Sequence, residues 1–174
     1  MASDIFTIGH STRTSEEFVH LLQMHGVQQL CDVRTIAKSR HNPQFAEPEL
    51  AASLTAVKIT YRRLAQLGGL RHAHKDSPNT GWRNLSFRGY ADYMQTPAFA
   101  AGLAELEALA RAAPTAIMCA EAVPWRCHRS LIGDALTVHG WQVWDIITEK
   151  PPSPHRMTPF LRVVDGHLTY PATE

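Results

Sequence analysis

Short apolar runs alternate with stretches whose apolar residues recur at helical spacing, and this rhythm continues along most of the chain. Asp4 to Ile8 reads as an apolar strand ending in Gly9, His10 and Ser11. Thr14-Ser15-Glu16-Glu17 is a capping box, with Thr14 accepting from the N3 amide and Glu17 reaching back to the cap. The helix it opens carries Phe18, Leu21, Leu22 and His25 on one side and stops at Gly26, after which Val27 to Val33 predicts a second strand. The unit repeats. Pro48 suits the first turn of a helix bearing Leu50, Leu54 and Val57, followed by a strand from Ile59 to Leu64.

Periodicity then disappears from Ala65 to Ser86, a polar segment of the kind that is either functional or mobile. A short helix is predicted around Tyr90 to Met94. Thr96-Pro97 opens another, with Phe99, Leu103, Leu106 and Leu109 as its apolar stripe. Thr115 to Cys119 reads as a strand, Leu131 to Val138 as a helical face closing at Gly140, and Trp141 to Ile147 as a further strand. Prolines 151, 152, 154 and 159 mark an extended connector. Phe160 to Val164 and His167 to Tyr170 flank Asp165-Gly166, the signature of a hairpin with a type I′ turn. The whole predicts an α/β protein: a mostly parallel sheet flanked by helices on both faces, with a C-terminal β-hairpin.

A chain of 174 residues fits a single domain whose core needs no metal or disulfide staple. Residues 151 to 174 would form its connector and hairpin. Its beginning, Met1-Ala2-Ser3-Asp4, lacks a positive n-region before an apolar stretch, and no apolar run approaches the roughly 18 residues of a membrane span. The expectation is a cytoplasmic protein without a membrane partner. Three cysteines, Cys31, Cys119 and Cys127, stand at irregular spacing and read as free thiols. Net charge is only +1, but from Arg34 to Tyr90 ten Lys/Arg face three acids. That basic middle is either a solvated surface or an attraction for phosphate or nucleic acid.

Ligands of parallel sheets bind beyond the carboxyl ends of the strands. Gly9-His10-Ser11, Asp32-Val33-Arg34 and Cys119-Ala120-Glu121 all fall at such ends, so topology predicts that they converge. Within "IMCAEAVPWRCHR", residues 117 to 129, Pro124 suggests a helix start near Trp125 or Arg126, whose free N–H groups attract anions. Arg126 and Arg129 add positive charge, and a thiol in such a field loses its proton more readily. Cys119 is therefore a candidate nucleophile, although a small cysteine at a strand end is equally a core residue. Six residues separate Cys119 from Arg126, one more than in the thiol-phosphatase signature. Glu121 is either an exposed loop acid, a general acid/base, or the partner of Arg34 or Arg129, and His128 is either a proton carrier or a helix-surface residue. Paired with Asp32, Arg34 becomes a pre-oriented fork for phosphate or carboxylate.

Two further readings compete. A nucleic-acid-binding module would use the basic, aromatic segment from Arg62 to Tyr93, where Trp82, Phe87, Tyr90 and Tyr93 interleave with Arg83 and Arg88, a mixture suited to stacking bases or, alternatively, to packing a lid on the core. Cys119, Cys127, His128 and a distant His10, His72 or His74 offer metal-ligand chemistry, but neither Cys-x-x-Cys nor His-x-x-x-His occurs among them. No cofactor motif is present, and Ser11 lacks the glycine-flanked elbow of a hydrolase nucleophile.

"TIGHS" at 7–11, "DVR" at 32–34 with Ser39-Arg40, "LGG" at 67–69, "WRNLSFRGYADYM" at 82–94 and "MCAE..P..CHR" at 118–129 together resemble the domain-of-unknown-function 488 family. The resemblance covers a family core of about residues 7 to 150 of the single domain and implies a cytoplasmic α/β protein and no particular reaction. Carried over position by position, it implies as signature polar residues His10, Ser11, Asp32, Arg34, Tyr90, Cys119, Glu121, Cys127, His128 and Arg129. Ala37 departs from the pattern, since similar members carry proline after "DVR", and the 35–45 loop loses a fixed φ. The combined expectation is a pocket for a small anionic or phosphorylated ligand: Cys119 as nucleophile, Glu121 and His128 in acid/base roles, and His10, Ser11, Asp32, Arg34, Tyr90, Arg126, Cys127 and Arg129 around the ligand.

Overall fold

The computed structural model describes residues 3 to 172. β1 (Asp4–Gly9), α1 (Ser15–Met24) and β2 (Gln29–Asp32) are followed by α2 (Glu47–Ala56) and β3 (Thr60–Arg63). Then come α3 (Leu85–Tyr93), α4 (Pro97–Ala112), β4 (Thr115–Cys119), α5 (Arg129–Val138) and β5 (Gln142–Ile146). β6 (Ser153–Pro154), β7 (Arg162–Val164) and β8 (His167–Thr169) complete the described elements. The main sheet runs β3-β2-β4-β1-β5-β6, parallel except for β6, and β7 and β8 form a separate antiparallel hairpin. Asp165 and Gly166 both have positive φ at its turn, as type I′ requires.

β4 is buried along its entire length because both faces of the sheet are covered. Its alternation sorts the core into two layers. Ala116 and Met118 join Ile8, Leu30, Phe18, Leu22, Leu50 and Leu54 under α1 and α2. Ile117 and Cys119 join Ile5, Val33, Tyr90, Phe99, Leu103, Leu131 and Leu136 under α3, α4 and α5. Cys119 therefore faces the α3–α5 layer. Register sets the depth: Gly9 lies beside Cys119, and Asp32 beside Met118, so three strands end level.

Local signals explain the boundaries. Thr14 Oγ1 accepts from the Glu17 amide at 3.1 Å and the Thr14 amide donates back to Glu17 Oε1 at 3.1 Å, completing the predicted capping box. α3 starts five residues before Tyr90, because Asn84 Oδ1 accepts from the amides of Ser86 and Phe87 and caps the helix there. The expected helix start near Trp125 is instead a 3-10 turn, Pro124–Arg126, and α5 begins at Arg129 with His128 as its N-cap. The proline-rich connector contributes β6, paired antiparallel to β5, which periodicity alone does not reveal.

The aperiodic segment after Leu64 is tied down. The buried Asp92 carboxylate accepts from the His74 amide at 2.8 Å, from Asn79 Nδ2 at 2.7 Å and from the Ser77 hydroxyl. Asn79 Oδ1 in turn accepts from the Tyr170 amide at 2.9 Å, joining this segment to the C-terminal hairpin. None of the described helices is long and apolar enough to cross a membrane.

Candidate functional site

The level strand ends do bring the predicted residues close. The loop leaving β4 crosses directly over the end of β1: His10 donates its amide to the Cys119 carbonyl and Ser11 to the Ala120 carbonyl, both at 2.9 Å. A Cβ on Gly9 would lie 1.7 Å from the Glu121 carbonyl oxygen, so only glycine allows the crossing. Gly69 plays the same part under His128, where an added Cβ would lie 2.6 Å from Nδ1 of the ring.

At the centre, the Arg129 guanidinium is fully buried at the start of α5. Nη1 donates to Cys119 Sγ at 2.8 Å and to the Glu121 carbonyl, Nη2 donates to the Ala122 carbonyl at 3.0 Å, and Nε to Thr7 Oγ1 at 3.2 Å. The Thr7 hydroxyl donates onward to the buried Asp145. Arg13, which ties the Gly9 and Ile147 carbonyls together, and Asp145 are single polar residues with no motif, and Thr7, though it opens "TIGHS", carries nothing along the chain that points to Arg129. The one available signal was polar Thr7 inside an otherwise apolar strand.

Cys119 Sγ also touches Cys127 Sγ at 2.7 Å, and Cys127 Sγ lies 3.5 Å from His128 Nδ1. Burial pushes the Cys119 thiol up, but the Cys127 thiol and the charge and N–H of Arg129 outweigh it and bring it down to about 7. Cys127 moves oppositely: the contact with Cys119 and burial hold its proton on. Burial drives His128 down to about 4, although its ring hydrogen-bonds the Val33 carbonyl, and Arg129 adds to the fall. With Nε2–H donating to Val33 at 2.9 Å, a neutral His128 presents the Nδ1 lone pair to Cys127.

Asp32 and Arg34 form the expected pair, with Arg34 Nη2 donating to Asp32 Oδ2 at 2.7 Å and Nε to Oδ1 at 2.9 Å. Burial works against the Arg34 charge, but the hydrogen bonds and charge of Asp32 hold its proton more firmly than usual. Arg34 Nη1 reaches His10 Nε2 at 3.4 Å, while His10 Nδ1 donates to the Ser11 carbonyl and the ring stacks on Phe45. Burial, opposed by the Ser11 hydrogen bond, lowers the His10 pKa and favours the neutral ring.

A cavity of about 330 Å³ opens here, lined among others by Arg34, Lys38, Cys119, Glu121, Arg126 and His128. Lys38, Glu121 and Arg126 are exposed at its wall. His10, Ser11, Asp32, Tyr90 and Arg129 do not line it. Tyr90 is fully buried, its hydroxyl on the Leu67 carbonyl at 2.9 Å and its ring 4.9 Å from that of His128, so it backs the histidine. The Glu121 carboxylate pairs with neither arginine in the described residues. Asp32 has taken Arg34, and only the main chain of Glu121 meets Arg129.

Trp82 packs on Phe87, Phe160 and Tyr170, and Tyr93 lies under the Arg71 guanidinium at 3.6 Å, so these aromatics seal α3 and the hairpin onto the core. Among the described residues no group of three or more His, Cys, Asp or Glu side chains is arranged to hold a metal ion.

The chain belongs to the domain of unknown function DUF488 family, whose model matches residues 14–136. That span runs from the cap of α1 into α5 and contains Asp32, Arg34, Tyr90, Cys119, Glu121, Cys127, His128 and Arg129, while His10 and Ser11 precede it. Comparison with curated proteins and with solved structures gave no match.

Proposed function

We propose that the cavity beyond β4 is an enzyme-like pocket for a small anionic or phosphorylated ligand, with Cys119 as its nucleophile. The observation that carries this reading is the 2.8 Å contact between Arg129 Nη1 and Cys119 Sγ at the wall of a cavity that also presents Lys38 and Arg126. A guanidinium against a thiol favours the thiolate, and two exposed cations attract an anion. The thiolate attacks the electrophilic atom of the ligand, a covalent thio-intermediate forms as the leaving group departs, and water activated by Glu121 releases the product. His128 serves as a base, since its ring is neutral near pH 7.

The test is alkylation of Cys31, Cys119 and Cys127 against pH, resolved by peptide mass spectrometry, with and without inorganic phosphate. Reaction of Cys119 with an apparent pKa near 7, slowed by phosphate, is the expected result. Reaction only on unfolding would return Cys119 to the core, and indifference to phosphate would remove the anion.

A second reading has an observation of its own. A groove of about 500 Å³ shares Gly69, Leu70 and Ser86 with the first cavity and is lined by Arg71, His72, His74, Lys75 and Arg88. That favours a longer polyanion, nucleic acid included, lying across both. Binding of a labelled oligonucleotide that weakens steeply with salt supports it, and flat or absent binding removes it.

A further inference from the structure

The two cysteines of the site differ in a way that a nucleophile alone does not require. Cys119 is held by Arg129, whereas Cys127 touches Cys119 at 2.7 Å and faces the free Nδ1 of His128 at 3.5 Å. Both are buried, yet both line the 330 Å³ cavity, which gives small molecules access to them. Cys31 lies in the same core layer but outside that lining, and burial pushes its thiol up to about 12.

From this contact we propose that Cys119 and Cys127 are a reversible redox pair, Cys119 attacking a small hydroperoxide and Cys127 resolving the product as an intramolecular disulfide. In the first step the Cys119 thiolate attacks the terminal peroxide oxygen. An S–O bond forms, the O–O bond breaks, and the departing oxygen takes a proton to become an alcohol or water. Cys119 is thereby oxidised by two electrons to the sulfenic acid and the peroxide is reduced. In the second step Cys127 passes its proton to His128 Nδ1 and attacks the Cys119 sulfur. The S–S bond forms, the S–O bond breaks, and the hydroxide leaves as water with the proton His128 returns. Two thiols and one hydroperoxide thus give one disulfide, one alcohol and one water.

Arg129 makes the bond easy to reverse. It stabilises the Cys119 thiolate, which is the reduced side of the couple, and a couple whose reduced form is stabilised is the more readily reduced. This proposal rests on the reactive Cys119 thiolate of the pocket reading but needs no anionic ligand, so the two part company at the ligand.

The experiment treats the native protein with hydrogen peroxide, digests it without reductant and weighs the peptides. The expected product is a Cys119–Cys127 link, seen as loss of two hydrogens and reversed by dithiothreitol, with Cys31 unchanged. In Cys127→Ser, checked for a native melting transition, the same treatment leaves a Cys119 sulfenic acid that a cyclic dione traps. Sulfinic or sulfonic acid on wild-type Cys119 without the link overturns the proposal, as does oxidation that appears only in unfolded chains. Equal trapping at Cys127 in Cys119→Ser overturns the order of attack. If the link forms while phosphate fails to protect Cys119 from alkylation, only the anion pocket is lost; phosphate protection without the link removes only the redox pair.

Discussion

Two buried arginines stand within the same site and are treated in opposite ways. Arg34 is answered by a carboxylate: Asp32 accepts three of its hydrogen bonds, and Tyr61 completes that carboxylate with a bond of its own to Oδ2. Arg129 has no carboxylate in contact among the described residues, only a hydroxyl, two carbonyls and the sulfur of Cys119. The first pair is electrically closed, so its charge has little left for a neighbour. The second is open, and the acidic group that can close it is the Cys119 thiol. A buried cation without its own anion is how a fold turns a thiol into a thiolate.

Breaking the closed pair should cost most. Asp32→Ala leaves Arg34 buried and uncompensated, and unfolding by urea should show a loss of about 3–5 kcal/mol. Arg129→Met should cost less, about 2 kcal/mol, for the Glu121 and Ala122 carbonyls left without a donor. Its diagnostic effect is on alkylation: the Cys119 midpoint should rise from about 7 to the ordinary thiol value of about 8.5 or above.

The same variant sharpens the comparison through pH. Between pH about 7 and about 8.5 the folded chain binds fewer protons at Cys119 than the unfolded chain does, so stability rises with pH across that window. The contribution is complete above the unfolded value and gone once pH has fallen through the folded one. Cys127, whose thiol is raised, acts in the opposite sense only above the ordinary thiol value. The rise should vanish in Arg129→Met and persist in Tyr61→Phe, which should lose only about 1.5 kcal/mol with its bond to Asp32. Smallest of all, at about pH 6, where the folded chain keeps the proton on Cys119 and Arg129 faces a neutral thiol, Cys119→Ser should change stability by less than about 1 kcal/mol while abolishing thiol reactivity at the site.

Much of this was legible along the chain, and the reasons differ by residue. The strands and helices followed from periodicity, and the convergence of His10, Arg34 and Cys119 from the rule that parallel strands end at one edge. The pairing of Asp32 with Arg34 followed from their spacing. Glu121 shows the limit. The sequence left it open between an exposed loop acid, a general acid/base and a partner of Arg34 or Arg129, and only the fold decides, spending the Glu121 carbonyl on Arg129 and leaving the side chain exposed. The role of Thr7 was hidden because its partners, Arg129 and Asp145, are 122 and 138 residues away. The N-terminal shift of α3 was hidden by a lone Asn84, whose cap outweighs the weak pattern of the residues it starts.

β6 has a consequence for how the molecule behaves in company. It adds two residues, Ser153 and Pro154, along the outside of β5, and one of them has no amide hydrogen to offer a further strand. At the opposite margin β3 turns outward with Arg62 and Arg63 exposed. Proline at one border and repelling charges at the other are the two devices that keep a sheet from growing by accretion of neighbouring chains. Concentration alone therefore gives this sheet no flat apolar margin from which a fibril can start.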